Sequence, residues 1–134
     1  MSRDVQGEAK PPSPLATVVV ATLCAIVGSV FWLVCERSSG TGDSDFLDSS
    51  LWWFGFVILP GFALVASAAQ PRYPRQWAIL LVLPQAIATV LLGTVFHDPD
   101  DGASLWMAGL VFVGLQGMVS FGGANLGAHL MQQR

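Results

Sequence analysis

Charged side chains are scarce in this sequence. Its 134 residues include 6 Lys and Arg and 9 Asp and Glu, or 11% charged, whereas soluble domains carry roughly 25%. So few charges do not cover a water-facing surface, and 53% of the residues are hydrophobic. The composition argues against a disordered chain, a nucleic-acid-binding protein and a soluble enzyme. It predicts a membrane protein of one domain.

Motifs of catalytic and cofactor chemistry are absent as well. The sequence contains no Walker loop, dinucleotide fingerprint, HExxH pair or nucleophile elbow. Cys24 and Cys35 would lie about 16 Å apart along one helix, too far for a disulfide, which needs Cα atoms within about 7 Å. We expect Cys24 to face lipid or the packed core, and Cys35 could pair with another chain. The sequence predicts no catalytic residue and no cofactor.

Four apolar stretches are each long enough to cross a bilayer as a helix, which takes about 20 residues. They are residues 15–34, 51–69, 77–96 and 105–130. None contains Asp, Glu, Lys or Arg. The first stretch is too long for a signal peptide's apolar segment and lacks a cleavage site, so we expect it to be retained. The predicted fold is an all-α bundle of four transmembrane helices over 15–130, with tails at 1–14 and 131–134.

The basic residues predict the orientation. Five fall on one side of the spans, namely Arg3, Lys10, Arg72, Arg75 and Arg134, and only Arg37 falls on the other. Cytoplasmic segments carry the excess of Lys and Arg, so both termini should be cytoplasmic. Arg outnumbers Lys, and Ala, Gly and Val are abundant, as in proteins of GC-rich bacteria. We therefore expect a multi-pass protein of the bacterial plasma membrane.

The two halves of the sequence resemble each other. Gly28-Ser29-Val30-Phe31 recurs as Gly93-Thr94-Val95-Phe96, and an acidic loop follows each. Ser50-Leu51-Trp52 then recurs as Ser104-Leu105-Trp106. The order is the same in both halves, which favours a duplicated helical hairpin in a parallel two-plus-two arrangement. The alternative is chance, since apolar sequences use a small alphabet.

Polar and small residues within the spans predict helix packing. Gln85 and Gln116 should lie at comparable depth, where an interhelical hydrogen bond can join them. The fourth stretch carries a small-residue face, consisting of Gly109, Gln116, Ser120, Gly123 and Gly127. We expect this face to pack against a helix, either within the bundle or across a homodimer. The alternative for the amides is the polar lining of a solute path.

The loops on the predicted outer side are acidic. His97, Asp98, Asp100 and Asp101 lie close together, and oxygen ligands of this kind bind hard cations such as Ca²⁺. Their spacing matches no complete EF-hand, so we interpret them as a solvated acidic loop and keep them as weak metal candidates. On the other side, Arg72 and Arg75 could contact anionic headgroups, although a lipid-binding cluster usually has 4–8 basic residues.

Three classes of function fit the sequence to different degrees. The leading hypothesis is a non-catalytic accessory, scaffold or assembly subunit that binds other membrane helices or forms homo-oligomers. A small homo-oligomeric transporter or channel for a neutral or small solute is the alternative, weakened because coupled carriers use an ionisable group within the span. A membrane enzyme is disfavoured because no nucleophile, base or metal set converges. The expected partners are the bilayer and membrane helices, and no nucleic acid.

Overall fold

The chain forms a bundle of four α-helices in a computed structural model, which describes residues 13–38, 50–95 and 105–133. The helices are α1 (Pro14–Ser38), α2 (Leu51–Ala69), α3 (Pro74–Val95) and α4 (Leu105–Gln132). No strand occurs among the described residues. Each helix is long and apolar enough to cross a membrane. The expected all-α class and four-helix bundle are therefore confirmed, and the chain is a multi-pass membrane protein.

The helix ends extend past some of the apolar stretches. α1 continues beyond Val34 to Ser38, so that Glu36 and Arg37 occupy its last turn. α3 begins at Pro74, before Trp77, because proline lacks the N–H that a first helical residue leaves unused. α2 and α3 run through Pro60 and Pro84 without interruption. Membrane helices accommodate such prolines where neighbouring groups take up the freed carbonyls.

The helices pack unequally. α4 makes extensive contacts with both α2 and α3, whereas α1 packs mainly on α3. One cluster of buried side chains includes Leu59, Trp77 and Leu81, and a second, toward the opposite end, joins Cys35, Trp52 and Val113. The core therefore runs along the bundle axis while the opposite faces of the helices remain available to lipid.

Glycines bring the helix backbones into contact. A Cβ on Gly28 of α1 would lie less than 3.0 Å from the carbonyl oxygen of Leu81 in α3. Gly123 and Gly127 of α4 meet the carbonyl oxygens of Pro60 and Leu64 in α2 in the same way. Lipid removes the hydrophobic drive between helices, so close van der Waals packing at small residues holds them together.

Two tryptophans lie in the core although their sequence positions are close to the ends of the spans. Trp52 and Trp77 are each only 1% exposed, whereas Trp53 is 67% exposed. Trp52 meets Phe31 and Phe112 edge to face, with ring centroids 6.0 and 6.2 Å apart. Both rings are therefore covered by neighbouring helices and do not face lipid.

Both cysteines are buried. Cys24 lies in the core, which is one of the two placements that we expected for it. Cys35 has no exposed surface, so the expectation that it could reach a second chain is wrong for this structure. Its helix turns the side chain inward beside Trp52 and Val113.

Candidate functional site

Gln116 crosses from α4 to α2 inside the bundle. Its side chain has no exposed surface, and its Nε2 donates a hydrogen bond of 2.9 Å to the backbone carbonyl oxygen of Trp52. The amide occupies the space that Gly55 leaves, because a Cβ at Gly55 would collide with it and with Phe31. A glycine and a glutamine thus form one interlocking contact between two helices.

Gln85 is also fully buried but bonds only within its own helix. Its Nε2 donates to the carbonyl oxygen of Leu81 at 3.1 Å. The Oε1 atoms of Gln85 and Gln116 both lack a hydrogen-bond partner, so the predicted bond between the two amides is absent. Each amide donates to a backbone carbonyl instead. Gln85 bonds one turn back on α3, and Gln116 bonds across the gap that Gly55 leaves in α2.

The small-residue face of α4 lies against α2. Gly109, Gln116, Ser120 and Gly127 are buried and Gly123 is half-buried, and the closest contacts of Gln116, Gly123 and Gly127 are with α2 backbone. The sequence left open whether this face packs within the chain or against a second copy. In the structure its neighbour is α2 of the same chain.

The buried polar side chains enclose no water-sized space. Gln85, Gln116 and Ser120 are 0% exposed and Thr89 is 3% exposed. Thr89 Oγ1 donates to the carbonyl oxygen of Gln85 at 2.8 Å, while Ser120 Oγ has no partner. A solute could pass along this set only if the helices moved apart.

An apolar groove separates α3 and α4 on the outside of the bundle. Its volume is about 500 Å³. The α3–α4 groove is lined by Ala78, Ile79, Val82, Leu83, Ala86, Gly114, Gly117, Met118 and Phe121. A Cβ added at Gly114 would meet nothing within 4 Å. Four of the nine lining residues are Ala or Gly, and one of these glycines, Gly114, has no packing contact inside the chain.

The weak metal candidates lie outside the described residues. His97, Asp98, Asp100 and Asp101 all fall between α3 and α4, in 96–104. Within the described ranges no group of three or more His, Cys, Asp or Glu side chains is placed to hold a metal ion.

The chain was compared with known proteins at the level of family, sequence and fold. No protein-family model, curated protein or solved structure matches it. Its function must therefore be argued from the chemistry of its own surface and core.

Proposed function

We propose that this chain is a non-catalytic accessory or scaffold subunit that binds a helix of another membrane protein in the α3–α4 groove. The observation that carries the proposal is that four small residues line this outward-facing groove, namely Ala78, Ala86, Gly114 and Gly117. The small-residue face of α4 does not serve the purpose, because it lies against α2. Gly61 and Gly122 also face open space, but neither lines a groove between two helices as Gly114 does.

Gly114 gives a physical reason for a partner helix to bind in this groove. Glycine within a helix costs about 1 kcal/mol relative to alanine in water-soluble hosts, and Gly28, Gly123 and Gly127 offset such a cost through contacts inside the chain. Gly114 has no such contact. A partner helix resting on Gly114, Gly117 and Ala86 would gain the close approach that stabilises helix pairs in lipid.

The distribution of ionisable groups also favours this function over coupled transport. Among the described residues of the four helices, Glu36, Arg37, Arg75 and His129 are the ionisable ones apart from the cysteines, and all lie within a few residues of a helix end. Proton- and cation-coupled carriers place such groups inside the span. A binding role requires none there.

The experiment fills the groove without disturbing the fold. The variant Gly114→Leu places a large side chain in the groove, and Gly61→Leu is the matched control because its Cβ also meets nothing within 4 Å. A photo-crosslinking amino acid at Met118 captures the neighbour in native membranes, and mass spectrometry identifies it. Two differently tagged copies of the chain distinguish self-association from a different partner.

We expect the wild type and Gly61→Leu to give the same crosslinked partner and Gly114→Leu to lose it. Equal crosslinking in all three would contradict a groove site. Recovery of the other tagged copy as the sole partner would replace the accessory role with a homo-oligomer.

A transporter for a neutral solute is the second candidate. The unpaired Oε1 atoms of Gln85 and Gln116 and the unpaired Oγ of Ser120 favour it, because buried polar atoms normally have partners unless function requires otherwise. Swelling of proteoliposomes in glycerol tests this candidate. Swelling faster than that of empty liposomes, abolished by Gln116→Leu, would support transport over scaffolding.

We further propose that both termini face the cytoplasm in a bacterial plasma membrane. The five-to-one bias of basic residues supports this orientation. A reporter enzyme active only in the cytoplasm should work at either terminus and fail when inserted after Gly42. Activity at the inserted position alone would reverse the orientation.

The matching halves of the sequence support a duplicated hairpin, although α3 packs far more closely on α4 than α1 does on α2. On this proposal the halves have diverged in packing. A duplicated hairpin requires that α1–α2 superpose on α3–α4 with Gly28 over Gly93 and Gly55 over Gly109. Superposition in another register would contradict the duplication.

A further inference from the structure

A cleft opens at the end of the bundle where α1 begins and α2 is joined to α3. Its volume is about 510 Å³. The connector cleft is lined by Pro14, Thr17, Val18, Arg72, Tyr73 and Gln76. A guanidinium, a phenol, an amide and a hydroxyl thus line one cavity beside apolar side chains of α1. All four polar groups can donate hydrogen bonds.

The cleft carries positive charge without a neighbouring carboxylate in the described part of the chain. The described ranges contain one acidic side chain, Glu36, which lies about 33 Å from Pro14 along α1. Arg75 is close by in the first turn of α3 and lines a second, adjoining depression with Arg72. The N-terminus of α3 adds the partial positive charge of its backbone N–H groups.

Hydrogen bonds hold the connector that presents Arg72. The indole Nε1 of Trp77 donates to the carbonyl oxygen of Gln70 at 3.0 Å, and the backbone N–H of Gln70 donates to Ala66 at 2.9 Å. The Arg72 guanidinium lies 5.8 Å from the centre of the Tyr73 ring. The backbone that carries Arg72 is therefore held in place before any ligand arrives, which reduces the ordering cost of binding.

The position of the cleft along the membrane normal indicates which kind of ligand can reach it. Only Gln70, Pro71, Arg72 and Tyr73 separate two helices that can span the membrane, so the connector must lie at headgroup level. Phosphate groups of lipids lie at that depth, and basic pockets between transmembrane helices bind anionic headgroups. Arginine suits phosphate because its planar fork donates two parallel hydrogen bonds.

We propose that the connector cleft binds the phosphate of an anionic phospholipid headgroup, with Arg72 as its main donor and Thr17 and Gln76 as further donors. The apolar faces of Pro14 and Val18 lie beside the upper part of an acyl chain. This site is independent of the α3–α4 groove and of the function proposed for it.

The test measures lipid bound to the full chain in mild detergent by native mass spectrometry. The probes are phosphatidylglycerol and phosphatidylcholine with identical acyl chains. The variants are Arg72→Gln, Arg72→Lys and, as matched control, Arg37→Gln at the far end of α1. Circular dichroism establishes that each variant keeps its helices.

We expect the wild type and Arg37→Gln to bind phosphatidylglycerol in preference to phosphatidylcholine. Arg72→Gln should weaken phosphatidylglycerol binding about tenfold, the usual worth of a hydrogen bond between charged groups. Phosphatidylglycerol binding by Arg72→Lys should be intermediate between that of the wild type and that of Arg72→Gln, because lysine keeps the charge but lacks the planar guanidinium.

Two outcomes would overturn the proposal. Equal weakening by Arg37→Gln and Arg72→Gln would show attraction by net charge without a site. Displacement of phosphatidylglycerol by millimolar inorganic phosphate, with no preference between the two lipids, would show that the cleft takes a free phosphate from solution.

Discussion

Glycine residues determine how closely the helices of this bundle approach one another. Gly28, Gly123 and Gly127 each face a backbone carbonyl of a neighbouring helix, whereas Gly114 and Gly122 of the same α4 face open space. Glycines of one helix thus have different roles. Gly122 and Gly123 are adjacent in the sequence, so substituting each in turn distinguishes an open glycine from one that packs on a neighbouring helix.

The substitution Gly123→Val should destabilise the bundle, because its side chain would meet the carbonyl of Pro60. Overpacking of this kind costs about 1–3 kcal/mol. Gly122→Val, one residue earlier, should change the free energy of unfolding by less than about 0.5 kcal/mol, as surface substitutions do. Unfolding in mixed detergent micelles measures both, and equal losses would disprove the contact.

The two buried glutamines should also respond differently to replacement by leucine. Gln116→Leu removes an interhelical hydrogen bond and should lower the free energy of unfolding by about 0.6–1.7 kcal/mol. Gln85→Leu removes a bond within α3 together with a buried oxygen that has no partner, so its cost should be smaller. The same unfolding measurement tests the order, and a larger loss for Gln85→Leu would contradict it.

At the scale of elements, hydrogen bonds from a side chain and from the backbone hold the connection between α2 and α3. Trp77 reaches back from α3 to the carbonyl of Gln70, at the end of α2. Tyr73 packs edge to face on the same indole, at 6.4 Å between ring centroids. One aromatic side chain therefore joins two helix ends and shapes the connector cleft.

Trp77→Phe keeps an aromatic ring and removes the N–H donor. We expect the free energy of unfolding to fall by about 0.5–1.5 kcal/mol and protease cleavage after Arg72 or Arg75 to accelerate. Trp53→Phe is the control, because that side chain is 67% exposed. Unchanged cleavage in Trp77→Phe would show that the hydrogen bond does not order the connector.

At the scale of the whole molecule, the bundle is apolar outside and tightly packed inside. Its few polar core side chains bond to backbone or lack partners, and they have almost no exposed surface. The charged groups lie in the tails, the loops and near the helix ends. This arrangement suits a protein that stays in the membrane and excludes water from its centre.

A cysteine placed at Ser120 should therefore resist water-soluble maleimide, because water does not reach that position in the structure. The background is Cys24→Ala with Cys35→Ala, and Ser50→Cys, at the exposed start of α2, serves as the reactive control. Labelling of both cysteines at similar rates would show a hydrated core and favour the transporter.

The sequence by itself determined the fold class, because runs of about 20 apolar residues without charge have one stable form in lipid, a helix with its backbone bonds satisfied internally. It also marked Gly109, Gly123, Gly127 and the two amides as packing residues, but it did not mark Gly28 or Gly55. It could not say which helix each would meet, so it joined Gln85 to Gln116 and placed Cys35 within reach of another chain. Helical periodicity gives a face, not a neighbour.

Only the tertiary structure decided those neighbours. Whether an amide crosses to another helix depends on the gap opposite it, and Gly55 provides that gap for Gln116. The two arginines of the connector looked too few for a lipid site when counted along the chain. Folding places Arg72 opposite Thr17, fifty-five positions away in the sequence, because α1 packs on α3, and the cleft comes from that contact.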